Sequence, residues 1–177
     1  TFYGIYLEDS YSALDISKNK LNINGTGNGY GIFLQNSDAE SGNTGKVANN
    51  FVRVNTAGST YGIMSNSQYQ NIYYNSVNMT GNSATSAALY AENTNSSFKD
   101  NSWVNQAGGY AFEIITSAGD EIDYNNYYTT GNYLVRADGT DYTGIADWRA
   151  DDPGYNAVYL AVDPLYTSAS DLHLMVS

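Results

Sequence analysis

The chain has 177 residues, 14% of them charged, and its 18 acidic residues against seven lysines and arginines give a formal net charge of −11 at pH 7. This balance argues against nucleic acid and anionic membranes as partners, because both require clustered positive charge. The sequence has no cysteine and no apolar run of about 20 residues, so it predicts no disulfide framework, no thiolate metal site and no membrane insertion. Helix-forming residues are scarce beside asparagine, serine, threonine, glycine and 18 tyrosines, which favours an all-β protein.

The sequence repeats itself in two columns that stay in step with one another. The clearest copy, residues 61–81, opens with Tyr-Gly-Ile and closes with alternating apolar and polar residues, the period of a strand with one buried face. The opening column consists of Tyr3, Tyr30, Tyr61, Ala87 and Tyr110. The second column, in the motif Ile-x-x-Asn-x-apolar-x-apolar, consists of Asn19, Asn50, Asn75, Asn101 and Asn125. Two columns in step indicate a solenoid in which each copy forms one coil.

In chain order, the predicted elements are short strands grouped in threes. The first coil, residues 3–28, contains three strands separated by tight turns. The second carries an insertion at 38–43, the third and fourth are regular, and an incomplete sixth at 133–137 follows the fifth. The turns lack the Asn-Gly signal between long alternating runs that a β-sandwich would show. The sequence therefore predicts a single-stranded parallel β-helix of about five coils over residues 1–137.

Residues 138–177 depart from the repeat and predict a C-terminal cap, which a solenoid needs to cover its last strand edges and core. The cap contains the one predicted helix, residues 143–150, with Asp141 or Thr143 as its N-cap. Ile145 and Trp148 form the predicted buried face of this helix. At the other end the sequence starts within a strand pattern, so we expect further coils or domains of the same polypeptide before residue 1.

The repeat pattern Gly-Ile-x-Leu followed by Ile-x-x-Asn-x-apolar-x-apolar resembles the right-handed parallel β-helix of the pectin-lyase-like superfamily. The tail resembles the C-terminal ends of such domains in large secreted or cell-surface proteins of Bacteroidota-type bacteria. The residues that carry the tail resemblance are Asp147-Trp148, Asp163-Pro164-Leu165 and Asp171-Leu172-His173-Leu174. The resemblance implies a secreted, bacterial protein in which the asparagines stack as a ladder in the turn between the second and third strands. It also implies that the first sheet is the face that holds saccharides.

On the outer face of that first sheet, alternation predicts an aromatic strip beside a polar one. The aromatic strip consists of Tyr6, Phe33, Met64 and Tyr90, and the polar strip of Glu8, Gln35, Asn66 and Glu92. The same alternation places a row of small residues on the other side of the aromatic strip: Gly4, Gly31, Gly62, Ala88 and Ala111. Sugar rings stack on aromatic faces while carboxylates and amides bind hydroxyls, so the pattern predicts a saccharide-binding strip. Two alternatives are stacking that serves stability alone and a face covered by another domain.

Residues for acid–base catalysis are sparse. The resemblance implies that hydrolases carry an Asn-Thr-Asp, Asp-Asp, Gly-His-Gly and Arg-Ile-Lys series, which this sequence lacks apart from an isolated Asp151-Asp152 in the cap. Glu113 and Arg136 are the one candidate pair on the first sheet, and a surface ion pair between them is the preferred interpretation. His173 alternates with leucines and is interpreted as a solvent-facing strand residue. No catalytic residue is therefore predicted within this segment.

Metal binding has one weak candidate. The carboxylates that cluster in sequence are Asp120, Glu121, Asp123, Asp138 and Asp141. Oxygen-rich loops bind Ca²⁺, but the sequence has no EF-hand or Gly-Gly-x-Gly-x-Asp repeat. Solvated charge is the preferred interpretation, so we predict no cofactor, with calcium as the alternative.

Together these features predict a structural stalk or adhesin segment at the cell surface that binds polysaccharide or a surface glycan along its first sheet. The alternative function is the C-terminal part of a polysaccharide lyase or glycoside hydrolase whose catalytic coils precede this segment.

Overall fold

The computed structural model of the protein describes residues 1–92 and 95–175. Short strands alternate with tight turns, and each strand pairs in parallel with the strand one coil away in the sequence. The result is a parallel β-solenoid of about five turns with three sheets along its length. The predicted all-β class and solenoid architecture are confirmed.

The first sheet has seven strands, all parallel except the last, which is antiparallel to its neighbour. In sheet order, and numbered along the chain, they are β1 (Phe2–Glu8), β4 (Gly29–Gln35), β7 (Thr60–Asn66), β10 (Ser86–Ala91), β13 (Tyr110–Ile114), β16 (Val135–Ala137) and β17 (Thr140–Tyr142). The opening column of the repeat lies in register across this sheet, with Tyr3 opposite Tyr30 and Tyr30 opposite Tyr61.

The second and third sheets complete each coil. The second sheet contains β2 (Asp15–Ser17), β5 (Gly45–Ala48), β8 (Gln70–Tyr73), β11 (Ser97–Lys99) and β14 (Glu121–Asp123). The third contains β3 (Lys20–Gly25), β6 (Phe51–Thr56), β9 (Ser76–Met79), β12 (Ser102–Asn105), β15 (Asn125–Thr129) and β18 (Tyr159–Leu160). Equivalent residues of successive coils therefore lie side by side, as a repeat with a constant strand pattern requires.

The core changes character along the axis. Its early coils are filled by aliphatic side chains such as Val52, Ile63 and Ile72, all fully buried. In the later coils it becomes aromatic: the rings of Phe98, Trp103 and Tyr127 each meet the ring of Phe112 at a steep angle, with centroids 5.7, 6.4 and 5.8 Å apart. Such edge contacts add to the stabilisation from burial and fix ring orientation. The aromatic part of the core lies next to the cap.

The asparagine ladder, Asn19, Asn50, Asn75, Asn101 and Asn125, occupies the turn between the second and third sheets. Asn75 shows the pattern: its Oδ1 accepts from the backbone N and the Nδ2 of Asn50, at 3.1 and 2.9 Å. Its Nδ2 donates to the Val47 carbonyl at 2.8 Å and to Asn101 Oδ1 at 3.0 Å. Each amide thus joins neighbouring coils and satisfies turn backbone. The predicted ladder is confirmed by its hydrogen bonds.

Every ladder asparagine follows a residue with a left-handed backbone. These residues are Lys18, Asn49, Tyr74, Asp100 and Tyr124, with φ between 55° and 60°. A residue with positive φ bends the chain sharply, so the third strand of each coil begins after a turn of only one or two residues. These five residues differ in type and share only their exposure to solvent. The sequence repeat therefore does not reveal the left-handed backbone at this position.

The C-terminal cap closes the last coil. Helix α1 (Ile145–Asp151) buries Ile145 and Trp148, as predicted, and the Trp148 ring lies 5.7 Å from that of Phe112. The predicted N-cap is wrong: Gly144 occupies that position without a side-chain cap, because the Thr143 hydroxyl donates to Asp147 Oδ2 at 2.9 Å. The backbone of Asn156 donates to the Ile122 carbonyl at 2.7 Å, so the cap also covers the edge of the second sheet.

The tail then turns back along the outside of the third sheet. Its hairpin consists of β19 (Tyr166–Ser168) and β20 (Asp171–Leu174), which pair antiparallel. The Tyr166 hydroxyl donates to Ser102 Oγ at 2.7 Å, and Asn126 Nδ2 donates to the Val162 carbonyl at 3.0 Å. His173 is exposed, as expected, and its ring meets the Phe51 ring edge-on. Over residues 159–175 the tail thus covers part of the third sheet and not the first.

Within residues 1–92 and 95–175, no helix has the length and apolarity needed to cross a membrane.

Candidate functional site on the first sheet

The predicted aromatic strip lies in register on the outer face of the first sheet. Tyr6 is opposite Phe33, Phe33 is opposite Met64, and Met64 is opposite Tyr90. The column continues with Glu113 on β13. The structure therefore brings together all four residues that the sequence assigned to the strip.

The polar strip runs parallel to it, two residues further along each strand. Glu8 is opposite Gln35, and Gln35 is opposite Asn66. Glu92 directly follows β10, and its backbone N donates to the Ser65 carbonyl at 2.8 Å, which extends the strip by one coil. The two predicted strips thus run side by side, both parallel to the solenoid axis.

The small residues, by contrast, do not lie on the outer face, and that prediction is wrong. A Cβ on Gly31 would lie 2.2 Å from Val52 Cγ1, and one on Gly62 would lie 2.2 Å from Val77 Cγ1, so both positions face the third sheet inside the solenoid. Ala88 and Ala111 are likewise fully buried in the core cluster. The members of this inward-facing row are Gly4, Gly31, Gly62, Ala88 and Ala111. Strict alternation fails because two consecutive residues of each strand face the core, and the first has no room for a larger side chain.

That irregularity turns the preceding tyrosines outward and creates an aromatic platform that sequence reasoning missed. We define the platform as Tyr3, Tyr6, Tyr30, Phe33 and Tyr61. Tyr3 stacks on Tyr30 and on Tyr6, with centroids 5.1 and 4.9 Å apart, and Tyr30 stacks on Tyr61 at 5.6 Å. The Tyr-Gly-Ile column was the available signal, since one tyrosine per coil in fixed register must stack along the sheet.

The platform rings shield one another unequally. Phe33 is only 8% exposed, because Tyr3, Tyr6 and Tyr30 all lie against it, whereas Tyr3 and Tyr6 are 46% and 39% exposed. The accessible ring surface therefore belongs to the tyrosines, and Phe33 supports them from beneath. Because stacked rings cover one another's faces, the outer surface of the platform presents ring edges and tyrosine hydroxyl groups at fixed positions.

Hydrogen bonds fix the polar border of the platform. The Tyr6 hydroxyl donates to Gln35 Oε1 at 3.0 Å, and Gln35 Nε2 donates to Glu8 Oε1 at 3.1 Å. The Tyr90 hydroxyl similarly donates to the Glu92 carboxylate. Burial raises the pKa of Tyr90 and its bond to Glu92 raises it further, so the phenol keeps its proton at neutral pH. The border offers carboxylate oxygens, amides and hydroxyls to the hydroxyl groups of a ligand.

One coil interrupts the tyrosine column and leaves a pocket, which we call the Ala87 slot. Ala87 lies in register between Tyr61 and Tyr110 and carries no ring, but it is itself fully buried, and the pocket beside it reaches the exposed Ala84 and Thr85. The pocket encloses about 240 Å³ and is lined by Tyr61, Ala84, Thr85, Tyr110, Glu113 and Arg136. It lies at the C-terminal end of the outer face, beyond the platform.

Glu113 is the half-buried carboxylate of this slot. Burial raises the pKa of the Glu113 carboxyl above its ordinary value against an opposing effect of Arg136, and Asp141 and Glu92 add to the increase. Arg136 lies opposite Glu113 in the sheet but forms its ion pair with Asp141, from Nε to Oδ1 at 3.7 Å. The predicted ion pair between Glu113 and Arg136 is therefore replaced by one across the β16–β17 pair. The Tyr110 hydroxyl also donates to Asp141, at 2.9 Å.

The acidic residues considered for calcium are engaged separately. Glu121 pairs with Lys99 at 2.7 Å, Asp123 accepts from the backbone of Val158 at 2.7 Å, and Asp138 accepts from the Ser117 hydroxyl at 2.6 Å. In the described part of the chain, no group of three or more His, Asp or Glu side chains is placed to hold a metal ion.

Comparison with protein-family models, with characterised proteins and with solved structures finds no match to this chain.

Proposed function

We propose that this chain is a rigid stalk or adhesin segment of a secreted bacterial surface protein, and that it binds polysaccharide along the aromatic platform. The observation that carries the proposal is the continuous outward stack of Tyr3, Tyr30 and Tyr61 beside the hydrogen-bonded border of Tyr6, Gln35 and Glu8. The stacked rings present their edges and hydroxyl groups to a ligand at low conformational cost, and the border provides further oriented polar groups. A repeating glycan can contact equivalent positions on successive coils.

The body of the solenoid supports the stalk role. Three sheets run the length of the axis, and the buried asparagine ladder joins each coil to the next. Because every coil is held by strand pairing and side-chain bonds at once, the segment resists bending at any single turn. The resemblance of the repeat to the pectin-lyase-like superfamily also supports this architecture.

The exposed end of the first coil supports partners in the same polypeptide. Strands β1, β2 and β3 are edge strands, and Ile5, Leu7, Leu21 and Ile23 beside them are only partly buried. An open edge over apolar residues is a surface that further coils or another domain would cover. In this proposal such coils extend the stalk.

Glycan binding is tested with a double variant, Tyr3→Ala with Tyr6→Ala, on an array of bacterial and plant polysaccharides. These rings are the most exposed of the platform and lie outside the core, so the variant keeps the fold by circular dichroism while its glycan signal falls at least about tenfold. Tyr11→Ala is the matched control, since Tyr11 is 69% exposed in the turn after β1 and off the platform. Equal binding by parent and double variant would reject the platform.

A further inference from the structure

The Ala87 slot has the dimensions of a site for one ring. Strands β7 and β13 are separated by one intervening strand, β10, so their tyrosines start about 9.6 Å apart at the strand spacing of a sheet. A ring placed midway would lie about 4.8 Å from each, within the range of stacked rings. The Tyr90 ring, on the intervening strand β10, meets Tyr61 edge-on at 5.2 Å, so the space open to a ligand ring lies on the side of Ala84 and Thr85.

The charge around the slot is predominantly acidic, with three carboxylates near one guanidinium. Glu113 lines it, Glu92 and Asp141 act on the Glu113 carboxyl from nearby, and Arg136 is the one basic residue in its lining. Since Arg136 is already paired with Asp141, the half-buried Glu113 is the charge that faces the pocket without a hydrogen bond among the described contacts. Aromatic walls and a carboxylate together favour a cation, because the faces of tyrosine rings attract positive charge.

We propose that the Ala87 slot binds an amino-sugar residue of a glycan, with its ring between Tyr61 and Tyr110 and its protonated amine at Glu113. This inference rests on the proposed glycan-binding function and names the class of sugar that the face selects. The slot lies on the same outer face as the platform, so a chain along the platform reaches it without changing surface. The net charge of −11 favours approach of a cationic glycan over an acidic one.

The test compares three oligosaccharides with the same backbone: hexamers of β-1,4-linked glucosamine, N-acetylglucosamine and glucose. They differ only at the second carbon, which carries an ammonium, an acetamide or a hydroxyl. Isothermal titration of the parent protein, at a pH where the free amine is protonated, should show the glucosamine hexamer binding about tenfold more tightly than the other two. The preference should weaken as salt is added, since exposed ion pairs are screened.

Two variants assign the preference to the slot. Glu113→Gln removes the charge with little change of shape and should abolish the preference while leaving weak binding of all three hexamers. Ala84→Tyr places a ring in the slot from an exposed position of its lining, with the same loss expected. If one variant fails to fold, the other still decides the question. A preference that survives both variants would overturn the inference.

The remaining outcomes separate this inference from the proposed function. If all three hexamers bind the parent equally, the slot does not select an amine, although glycan binding on the platform stands. If none binds and the glycan array is also empty, both proposals fail. If a lysine hexapeptide displaces the glucosamine hexamer and itself binds more tightly in a Glu113-dependent way, the slot takes a peptide and the sugar assignment is overturned.

Discussion

The asparagine ladder takes one residue from each coil and the aromatic platform takes one or two, yet the ladder is buried and the platform faces outward. Asn50, Asn75 and Asn101 are almost completely buried, and each amide bonds to neighbouring coils through both of its ends. Tyr3 and Tyr6, both on the outer face of β1, retain 46% and 39% of their surface. A column inside a solenoid uses its full bonding capacity on the fold, whereas a column outside keeps surface for a ligand.

The contrast also separates two kinds of stabilisation. Inside, removal of one amide leaves its partners buried and unpaired, which costs much more than the bond itself contributes. Outside, a lost hydroxyl partner is replaced by water and a lost ring costs only part of its stacking. Substitutions in the two columns should therefore differ in size and in what they change.

The largest effect is expected inside the ladder. Asn75→Ala deprives the backbone N and Nδ2 of Asn50 of their acceptor and Asn101 Oδ1 of a donor, all within the interior. We expect a loss of about 3–5 kcal/mol in the free energy of unfolding, measured by urea denaturation. Asn22→Ala, on the exposed side of β3, is the control and should cost less than about 0.5 kcal/mol. A similar loss in the free energy of unfolding for both variants would show that the ladder contributes no more to stability than an exposed asparagine.

A smaller loss is expected in the row of small residues that the structure places inside. Gly31→Ala brings a Cβ to 2.2 Å from Val52 Cγ1 and 2.4 Å from the Gly62 carbonyl oxygen, so backbone or core must shift. Overpacking of this kind costs about 1–3 kcal/mol and should appear as a lower Tm in calorimetry. Gly144→Ala, whose new Cβ would meet Asp147 only at 4.0 Å, is the control. An unchanged Tm for Gly31→Ala would show that this row of small residues does not face the core.

The smallest effect is expected at Glu113 on the outer face. Because its folded pKa is raised, Glu113 is most favourable to stability below its unfolded pKa, and this contribution disappears as the pH rises through the folded pKa. Glu113→Gln should therefore match the parent in acid and exceed it at pH 7, by no more than about 0.5 kcal/mol for a half-exposed group. Thermal melts at both pH values test this. A variant less stable than the parent at pH 7 would show that Glu113 has a favourable partner in the fold.

The sequence predicts the features that follow from its repeat and from the alternation of apolar residues. It does not predict features that arise where the backbone departs from strict strand alternation. The coils, the ladder and the buried Trp148 follow from repeated residue types and apolar spacing. The outward tyrosines were missed because strict alternation was carried through Gly4 and its equivalents, where two consecutive residues face the core. The space between the first and third sheets determines which residues of the strand face the core, and the sequence of one strand does not show that space.

Two further features depend on contacts distant in the sequence. The helix N-cap was misassigned because the Thr143 hydroxyl hydrogen-bonds the Asp147 side chain and does not cap the helix backbone. The sequence does not show which of these two partners the hydroxyl takes. The Ala87 slot was visible in the sequence only as a break in the tyrosine column. It became a pocket once the register placed Tyr61 and Tyr110 on either side and the chain folded Glu113 and Arg136 beside them.

The claim that the outer face of the first sheet is the binding surface and the ladder is structural is tested most directly by hydrogen exchange with a bound glycan. Peptides covering β1, β4 and β7 should become more protected when a ligand from the array is added, while those spanning Asn50, Asn75 and Asn101 should be slow to exchange with or without it. Protection that appears over the third sheet, or ladder amides that exchange rapidly in the free protein, would contradict the account.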